Sequence, residues 1–366
     1  MIVIVGCGLS GIVLADRFAR EQDKQVLVID KRDHIGGNIY DYYDETTGIL
    51  TPKYGAHLFH TNNDRVWEYV NRYSEWERWD HRVIAQVDKK LVPMPVNIDT
   101  INALCDENLV DEEEMLEWLH RNQVQYDHEP MNSEEVALGR VGPELYEKLV
   151  KQYTFKQWAK YPEELDASVL QRLPYRTNRD PRYFGDKYQA LPKNGYTKFV
   201  ERVLDHPNIT VRLNTDFFDS FVDSDASVII YTGPIDKYFE GLGLPKLEYR
   251  SIDFEYEVIL NTPFFQTNSV VNYPGPEVPF TRIVEPKHFL NQQSPHTLII
   301  RETTTDNGDP YYPVPTKRNQ ELYEKYRLHC EAERRVHFIG RLANYKYFNM
   351  DQAILNALEY FDRHFS

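Results

Sequence analysis

The chain has 366 residues, of which 41% are hydrophobic, enough for two or three domains with apolar cores. Its 42 basic and 57 acidic residues leave a formal charge of −15, which argues against a nucleic-acid partner or an anionic membrane surface but leaves room for a few arginines around an anion. Only three cysteines occur, Cys7, Cys105 and Cys330, at spacings that suggest neither a disulfide framework nor a zinc site. A first strand starting at residue 2 leaves no room for a signal peptide, and no apolar run approaches the length of a membrane span, so a cytoplasmic protein without membrane insertion is expected.

The first forty residues carry the strongest local pattern. Residues 2–5 are a β-branched run, Gly6, Gly8 and Gly11 form a G-x-G-x-x-G turn, residues 12–21 are helical in period, and a second apolar run ends at Asp30. This is the dinucleotide-binding βαβ pattern. Gly6 permits the tight turn, Gly8 lets backbone amides approach a pyrophosphate, and Gly11 lets the helix pack on the sheet. Asp30 stands where a carboxylate can accept the ribose hydroxyls of an adenosine. Beyond it, Gly36 and Gly37 supply a second stretch of bare backbone before Asn38. That run resembles the second glycine motif of the FAD-binding family that includes amine oxidases, and it favours FAD over NAD.

His57 and His60 follow, but no Cys, Asp or Glu accompanies them at ligand spacing, so no metal is expected. A histidine lying against a cofactor ring, or capping a helix at 63–73, fits better. Residues 82–92 read as a hairpin turning at Asp88, Lys89 and Lys90 and ended by Pro93 and Pro95. Residues 99–173 read as a helical insertion, with helices at 111–123, 133–138 and 142–158. Residues 174–197 read as loop, dense in Arg, Tyr and Pro. A helix at 196–204, a strand at 209–213 and a buried strand at 228–231 come next, with Thr232, Gly233 and Pro234 at the carboxyl end where ligands sit in an open α/β sheet. Antiparallel strands are expected at 252–260, 269–273, 280–285 and 297–302. The chain closes on a strand at 336–340 and a helix at 350–364 that aligns Ile354, Leu358, Phe361 and Phe365, so the nucleotide domain returns at its end. No second G-x-G-x-x-G exists for a nicotinamide cofactor, because Pro245 occupies the turn after Gly241 and Gly243.

Several collinear stretches together resemble the UDP-galactopyranose mutase family. They are residues 6–11, 34–38, 53–61, the Tyr153-Thr154-Phe155-Lys156-Gln157-Trp158 run, Leu173-Pro174-Tyr175-Arg176, Arg182-Tyr183-Phe184, Tyr188, 195–197, 231–236, Pro279-Phe280-Thr281-Arg282, Tyr311-Tyr312-Pro313, and 340–342 with Tyr345 and Tyr347. The resemblance implies a fold of the α/β class. A Rossmann-like FAD-binding domain is expected from 1–80, 192–245 and 318–366, a helical domain with a mobile substrate loop from 96–173, and an antiparallel β-sheet domain from 81–95, 174–191 and 246–317. It implies a flavoenzyme that interconverts the six- and five-membered ring forms of UDP-galactose without net redox change, through a reduced-flavin N5–sugar adduct. An external reductant would supply the electrons, and a homodimer stays open.

Carried over by motif position, Arg176 and Arg282 would hold the departing diphosphate, and Tyr183, Tyr188, Tyr312 and Tyr347 would supply hydroxyls to the same phosphates. Tyr153 would stack on uracil, Trp158 would sit on the mobile loop, and Asn268 would join the substrate site. His60 would lie near the flavin ring, with Arg250 a weaker flavin-side candidate. Gly6, Gly8, Ser10, Gly11, Asp30, Lys31, Gly37, Asn38, His57, Arg341 and Met350 would contact FAD. Five positions depart from the family pattern: Asn349 stands for Asp, Ile339 and Gln152 for glycines, Arg179 for an aromatic, and Asp30 for Glu. They keep open related mutases of dTDP-fucopyranose or UDP-N-acetylgalactopyranose. An amine-oxidase-like oxidoreductase and a non-catalytic nucleotide-sugar sensor are further readings.

Overall fold

Five short aliphatic runs form a parallel sheet in the order Ile209–Arg212, Val26–Ile29, Ile2–Val5, Val228–Tyr231, Val336–Phe338. The computed structural model describes residues 1–171, 174–219 and 226–366; Leu173 of the arginine motif, and with it the end of the expected helical insertion, lies outside the described residues. Helices cover both faces of this sheet, which is why its strands read as continuous apolar runs. On one side Leu9–Gln22, Gly195–Leu204 and Met350–Phe365 pack over Ile4 and Val28, with Phe18 edge-on to Phe361 at 5.0 Å. On the other, Lys317–Ala332 lays Leu322 and Tyr326 against Val3, Ile29 and Tyr231. Strand Ile2–Val5 has neighbours on both sides that leave the chain in opposite directions, so its carboxyl end opens the crevice where ligands bind such sheets.

A seven-stranded sheet runs Tyr312–Pro313, Tyr249–Ile259, Thr297–Thr305, Arg282–Val284, Val270–Asn272, Val83–Val87, Lys90–Met94. It is antiparallel except where Val270–Asn272 meets Val83–Val87. The hairpin turns at Asp88 and Lys89, both at positive φ. Pro93 does not end it: the residue lies inside Lys90–Met94, an edge strand, where a missing N–H costs no ladder bond.

Residues 174–197 are not all loop. Tyr188–Pro192 is the centre of a separate three-stranded sheet between Phe59–Thr61 and Trp76–Arg78, rather than part of the large sheet. Its partners lie more than a hundred positions away in the chain, so nothing local announces it.

The insertion contains Ile98–Leu104, Glu112–Asn122, Ser133–Leu145 and Gln152–Trp158. Asp111 caps the second by accepting from Glu114 N–H at 3.1 Å, beneath three acids in the first turn. Gly142, at φ 78°, breaks the third before Pro143, where the sequence pattern also divides. The fold is thus the mixed α/β class expected, a Rossmann-like domain joined to an antiparallel sheet domain. Among the described residues no helix is long and apolar enough to cross a membrane.

Candidate active site

The glycine turn forms a cradle. A Cβ at Gly11 would stand 2.0 Å from the Gly6 carbonyl oxygen, so only glycine lets the helix start this close to the strand. Gly37, at φ 56°, passes with its Cβ position 2.9 Å from Gly8 Cα, bringing the second glycine pair onto the first. Gly8 caps Leu9–Gln22 without a side-chain bond, and a Cβ there would meet nothing within 4 Å. Unpaired first-turn amides beside open space fit a pyrophosphate. Asp30 does more than await a ribose. Its two oxygens accept Cys7 N–H at 2.8 Å and Arg32 N–H at 2.9 Å, bracing the turn while each keeps a lone pair.

Ser10 is buried beneath Gly340, where a Cβ would lie 3.2 Å from its Oγ. Asn38 accepts from Arg32 at 3.0 Å, whereas Lys31 is exposed and paired with Asp309 at 2.6 Å. Met350 opens the last helix and packs on the core beneath the parallel sheet. His57 Nδ1 lies 3.0 Å from Gly55 O, and the ring lines an apolar cavity with Ile39, Ala56, Leu191, Tyr196 and Phe289.

Beyond this cradle the sheet and the insertion meet in a cleft of arginines and tyrosines. Arg282 stands directly opposite Glu302 in the strand register, and its Nε donates to Glu302 Oε2 at 2.6 Å. Burial opposes the Arg282 charge, but Glu302 and the surrounding tyrosines outweigh it and hold the guanidinium protonated. Among the described residues its terminal nitrogens have no protein acceptor, which leaves them for an anion. Glu302 is 2% exposed, and among the described residues its Oε1 has no partner.

Tyr153 and Tyr312 lie within electrostatic reach of Arg282. Tyr183 lies within reach of Tyr153 and packs on His81. Tyr312 and Tyr347 are stacked at 5.0 Å; Trp158, 3% exposed, sits 6.1 Å from each, and the Arg341 guanidinium lies over both. Arg176 is held by its backbone to Val96 and donates to Arg182 O at 3.1 Å, while among the described residues its buried Nε has no partner. An orphaned buried guanidinium nitrogen fits an anion that binds there. His60 stacks on Phe184 at 3.7 Å, with Nδ1 on Asp186 at 2.9 Å.

A model of the UDP-galactopyranose mutase family matches residues 148–347, and a model of NAD(P)-binding Rossmann-like domains matches residues 4–73. A Klebsiella pneumoniae protein named "Probable UDP-galactopyranose mutase" is 39% identical over 369 residues, covering 100% of this chain and 94% of its own. The chain belongs to the UDP-galactopyranose mutase family. An Escherichia coli dTDP-fucopyranose mutase is 35% identical over 367 residues, covering 98% of this chain and 96% of its own. A crystal structure of reduced UDP-galactopyranose mutase superposes with a TM-score of 0.80 at 20% identity over 99% of this chain and 94% of that one, which shows the shared fold.

Three residues assigned to the mutase site by motif position are engaged elsewhere. Register pairs His60 with Gln189 and Thr61 with Tyr188, so His60 and Tyr188 lie on opposite faces of the small sheet. The Tyr188 hydroxyl donates to Asp64 at 2.8 Å, and its ring stacks on Trp67. Asn268 spends both amide hydrogens on the carbonyls of Arg82 and Val270. Arg250 is bound to Asp306, Thr304 and Gln157 O, bracing the Gln152–Trp158 helix.

Two departures from the family pattern have their own places in the fold. Arg179 pairs with Asp99 and Leu109 O. Asn349 is the N-cap of Met350–Phe365, its N–H donating to Gln352 at 2.9 Å. Asn and Asp cap equally well, so Asn349→Asp should alter stability by less than about 0.5 kcal/mol and leave turnover intact. A marked loss of turnover with unchanged melting would assign the amide to the substrate instead.

Glu302, Asp186 and His81 were not visible as site residues. Glu302 had a signal: it follows Leu298 and Ile300 on one face of a strand, an acid where an apolar residue belongs. His57 and His81 are both pulled down by burial, with Arg341 and Arg282 beside the first and Arg282 and His60 beside the second, to about 4 and about 3. Trp79 Nε1 donates to His81 Nδ1 at 3.3 Å, which uses the lone pair of a neutral ring. Between pH 6.5 and these values the unfolded chain binds more protons than the folded one. The stability from the neutral rings is complete above pH 6.5 and drains away as pH falls towards 4 and 3. The melting temperature should therefore drop from neutral pH to about pH 4.5, and less so in His81→Gln; equal drops would refute the assignment.

Proposed function

We propose that the protein is a flavoenzyme that interconverts the pyranose and furanose forms of UDP-galactose with no net redox change. The observation that carries this is Arg282, held charged by a buried carboxylate on one side with its terminal N–H groups unengaged, in an aromatic cleft beside a dinucleotide cradle. Paired guanidinium donors suit a diphosphate whose charge grows as it leaves the sugar. FAD fits the cradle, and in its reduced form would supply a nucleophilic ring nitrogen to the anomeric carbon.

The chain's own residues would do the rest. Arg282 and Arg176 take the developing charge on the diphosphate. The hydroxyls of Tyr183, Tyr312 and Tyr347 donate to the same oxygens. Trp158 closes the far side and excludes water, and Tyr153 offers a face to the base. Neutral His57 adds no positive charge beneath the sugar.

The 35% identity to a dTDP-fucopyranose mutase over nearly the whole chain favours a second substrate reading, in which the same residues hold a dTDP-linked 6-deoxy sugar. Anaerobic incubation of dithionite-reduced protein with UDP-galactofuranose and, separately, the dTDP-fucofuranose separates them. Conversion of the UDP sugar only when the protein is reduced is expected. Oxygen consumption with oxidised product would replace the mutase reading with an oxidase.

A further inference from the structure

The Gln152–Trp158 helix brings Tyr153 and Trp158 to the cleft, yet only Thr154 and Trp158 of it are buried. Polar bonds tie it to the sheet. Arg250 Nε donates to Gln157 O at 3.3 Å, and the Thr304 hydroxyl donates to Lys156 O. Both donors belong to the seven-stranded sheet. The Lys156 side chain reaches that sheet from the other direction. Its ammonium donates to Tyr273 O, to Val278 O at 3.2 Å and to Phe280 O at 3.0 Å, so all three protons are spent on carbonyls.

These carbonyls lie in the turn between Val270–Asn272 and Arg282–Val284, and Phe280 stands two residues before Arg282. Thr281 between them is fixed as well. Its N–H and hydroxyl donate to Glu302 O at 2.8 Å and 3.1 Å, and Glu302 carries the carboxylate that holds Arg282. Tyr153 and Lys156 are one helical turn apart and share a face. One ammonium therefore ties the wall that carries Tyr153 to the turn that aims Arg282. Burial draws the ammonium down to about 8 against the pull of Glu277, which keeps it charged at neutral pH.

We propose that Lys156 is a positioning residue for the nucleotide-sugar site, fixing the gap between the Tyr153–Trp158 wall and Arg282 at the width of a nucleoside diphosphate. This rests on the nucleotide-sugar reading above. Lys156 touches no reacting atom; it acts through the turn and the helix. Without it three carbonyls lose their donor and the turn is free to move relative to the helix.

The test is the affinity of the FAD-loaded protein for UDP by calorimetry, in the parent, Lys156→Met and Lys156→Arg. Lys156→Met should keep its flavin and its melting temperature within a few degrees, yet bind UDP about tenfold or more weakly. Lys156→Arg keeps the cation, but a planar fork cannot meet three carbonyls placed for a tetrahedral ammonium, so a loss of about threefold is expected. UDP affinity within twofold of the parent in Lys156→Met overturns the proposal; if that variant does not fold, unchanged affinity in Lys156→Arg does so. Should the parent itself fail to bind UDP, the nucleotide-sugar reading is what has failed. Amide exchange across residues 273–281 then decides: at least a tenfold rise in either folded variant is expected without ligand, and unchanged exchange overturns the latch.

Discussion

Arg282→Lys should retain FAD and lose about 10²- to 10³-fold in turnover, the usual loss when one donor to a developing anion is removed. The obvious variant, Arg282→Ala, mixes two effects. It removes the diphosphate donor, and it also strands the Glu302 carboxylate, 2% exposed, with neither oxygen paired to a cation. Breaking a buried pair on one side commonly costs about 3–5 kcal/mol. Arg282→Ala should therefore melt early as well as turn over slowly, and its lost activity alone would prove little. Lysine keeps a positive charge beside Glu302, but a single ammonium cannot hold that carboxylate with one edge and an outgoing diphosphate with another. Arg282→Ala combined with Glu302→Gln supplies the other control. It removes both charges, so stability should partly recover while turnover stays low. Turnover of Arg282→Lys near the parent's, at equal flavin content, would falsify the diphosphate role.

The site was legible where its parts are local and obscure where the sheet assembles it. The shape of the cradle is legible because strand, turn, helix and acid fall within thirty-eight residues, and Gly6, Gly11 and Gly37 each have a steric reason for having no side chain, whereas Gly8 has none within the protein itself. The two arginines could be found only through a family resemblance, since nothing about either position in isolation separates it from an ordinary surface arginine. Glu302 meets Arg282 through the pairing of Arg282–Val284 with Thr297–Thr305, and Asp186 reaches His60 across more than a hundred residues. The direction in which Tyr188 faces is hidden for the same reason. Its motif is in place, but strand alternation decides which way its ring faces, and the strand itself was hidden. The Lys317–Ala332 helix escaped notice because its apolar stripe is thin: besides Asn319, only Leu322 and Tyr326 are buried, in an otherwise charged run. Arg179 pairs with a surface acid and Asn349 stands at the start of a helix, and neither placement is announced by the residues around it in the chain.

Gly8→Ala and Gly11→Ala should separate the cofactor site from the fold that builds it. At Gly8 the backbone has φ −86°, which any residue adopts, and a methyl group would meet nothing within 4 Å. The variant should fold and melt like the flavin-free parent. That empty space is where the pyrophosphate must come against the first-turn amides, so FAD affinity should fall by roughly a hundredfold. At Gly11 the methyl group would stand 2.0 Å from the Gly6 carbonyl oxygen, a backbone atom that cannot swing aside. The helix must move off the strand, and overpacking of this kind costs about 1–3 kcal/mol or more. Gly11→Ala should thus lose both flavin and stability, in the apo form as well as the loaded one. Measuring flavin absorbance beside the apo melting temperature tells the two apart. If Gly8→Ala retains parental FAD affinity, the open space at that turn is not where the diphosphate lies, and the dinucleotide must be held at the second glycine pair, Gly36 and Gly37, instead.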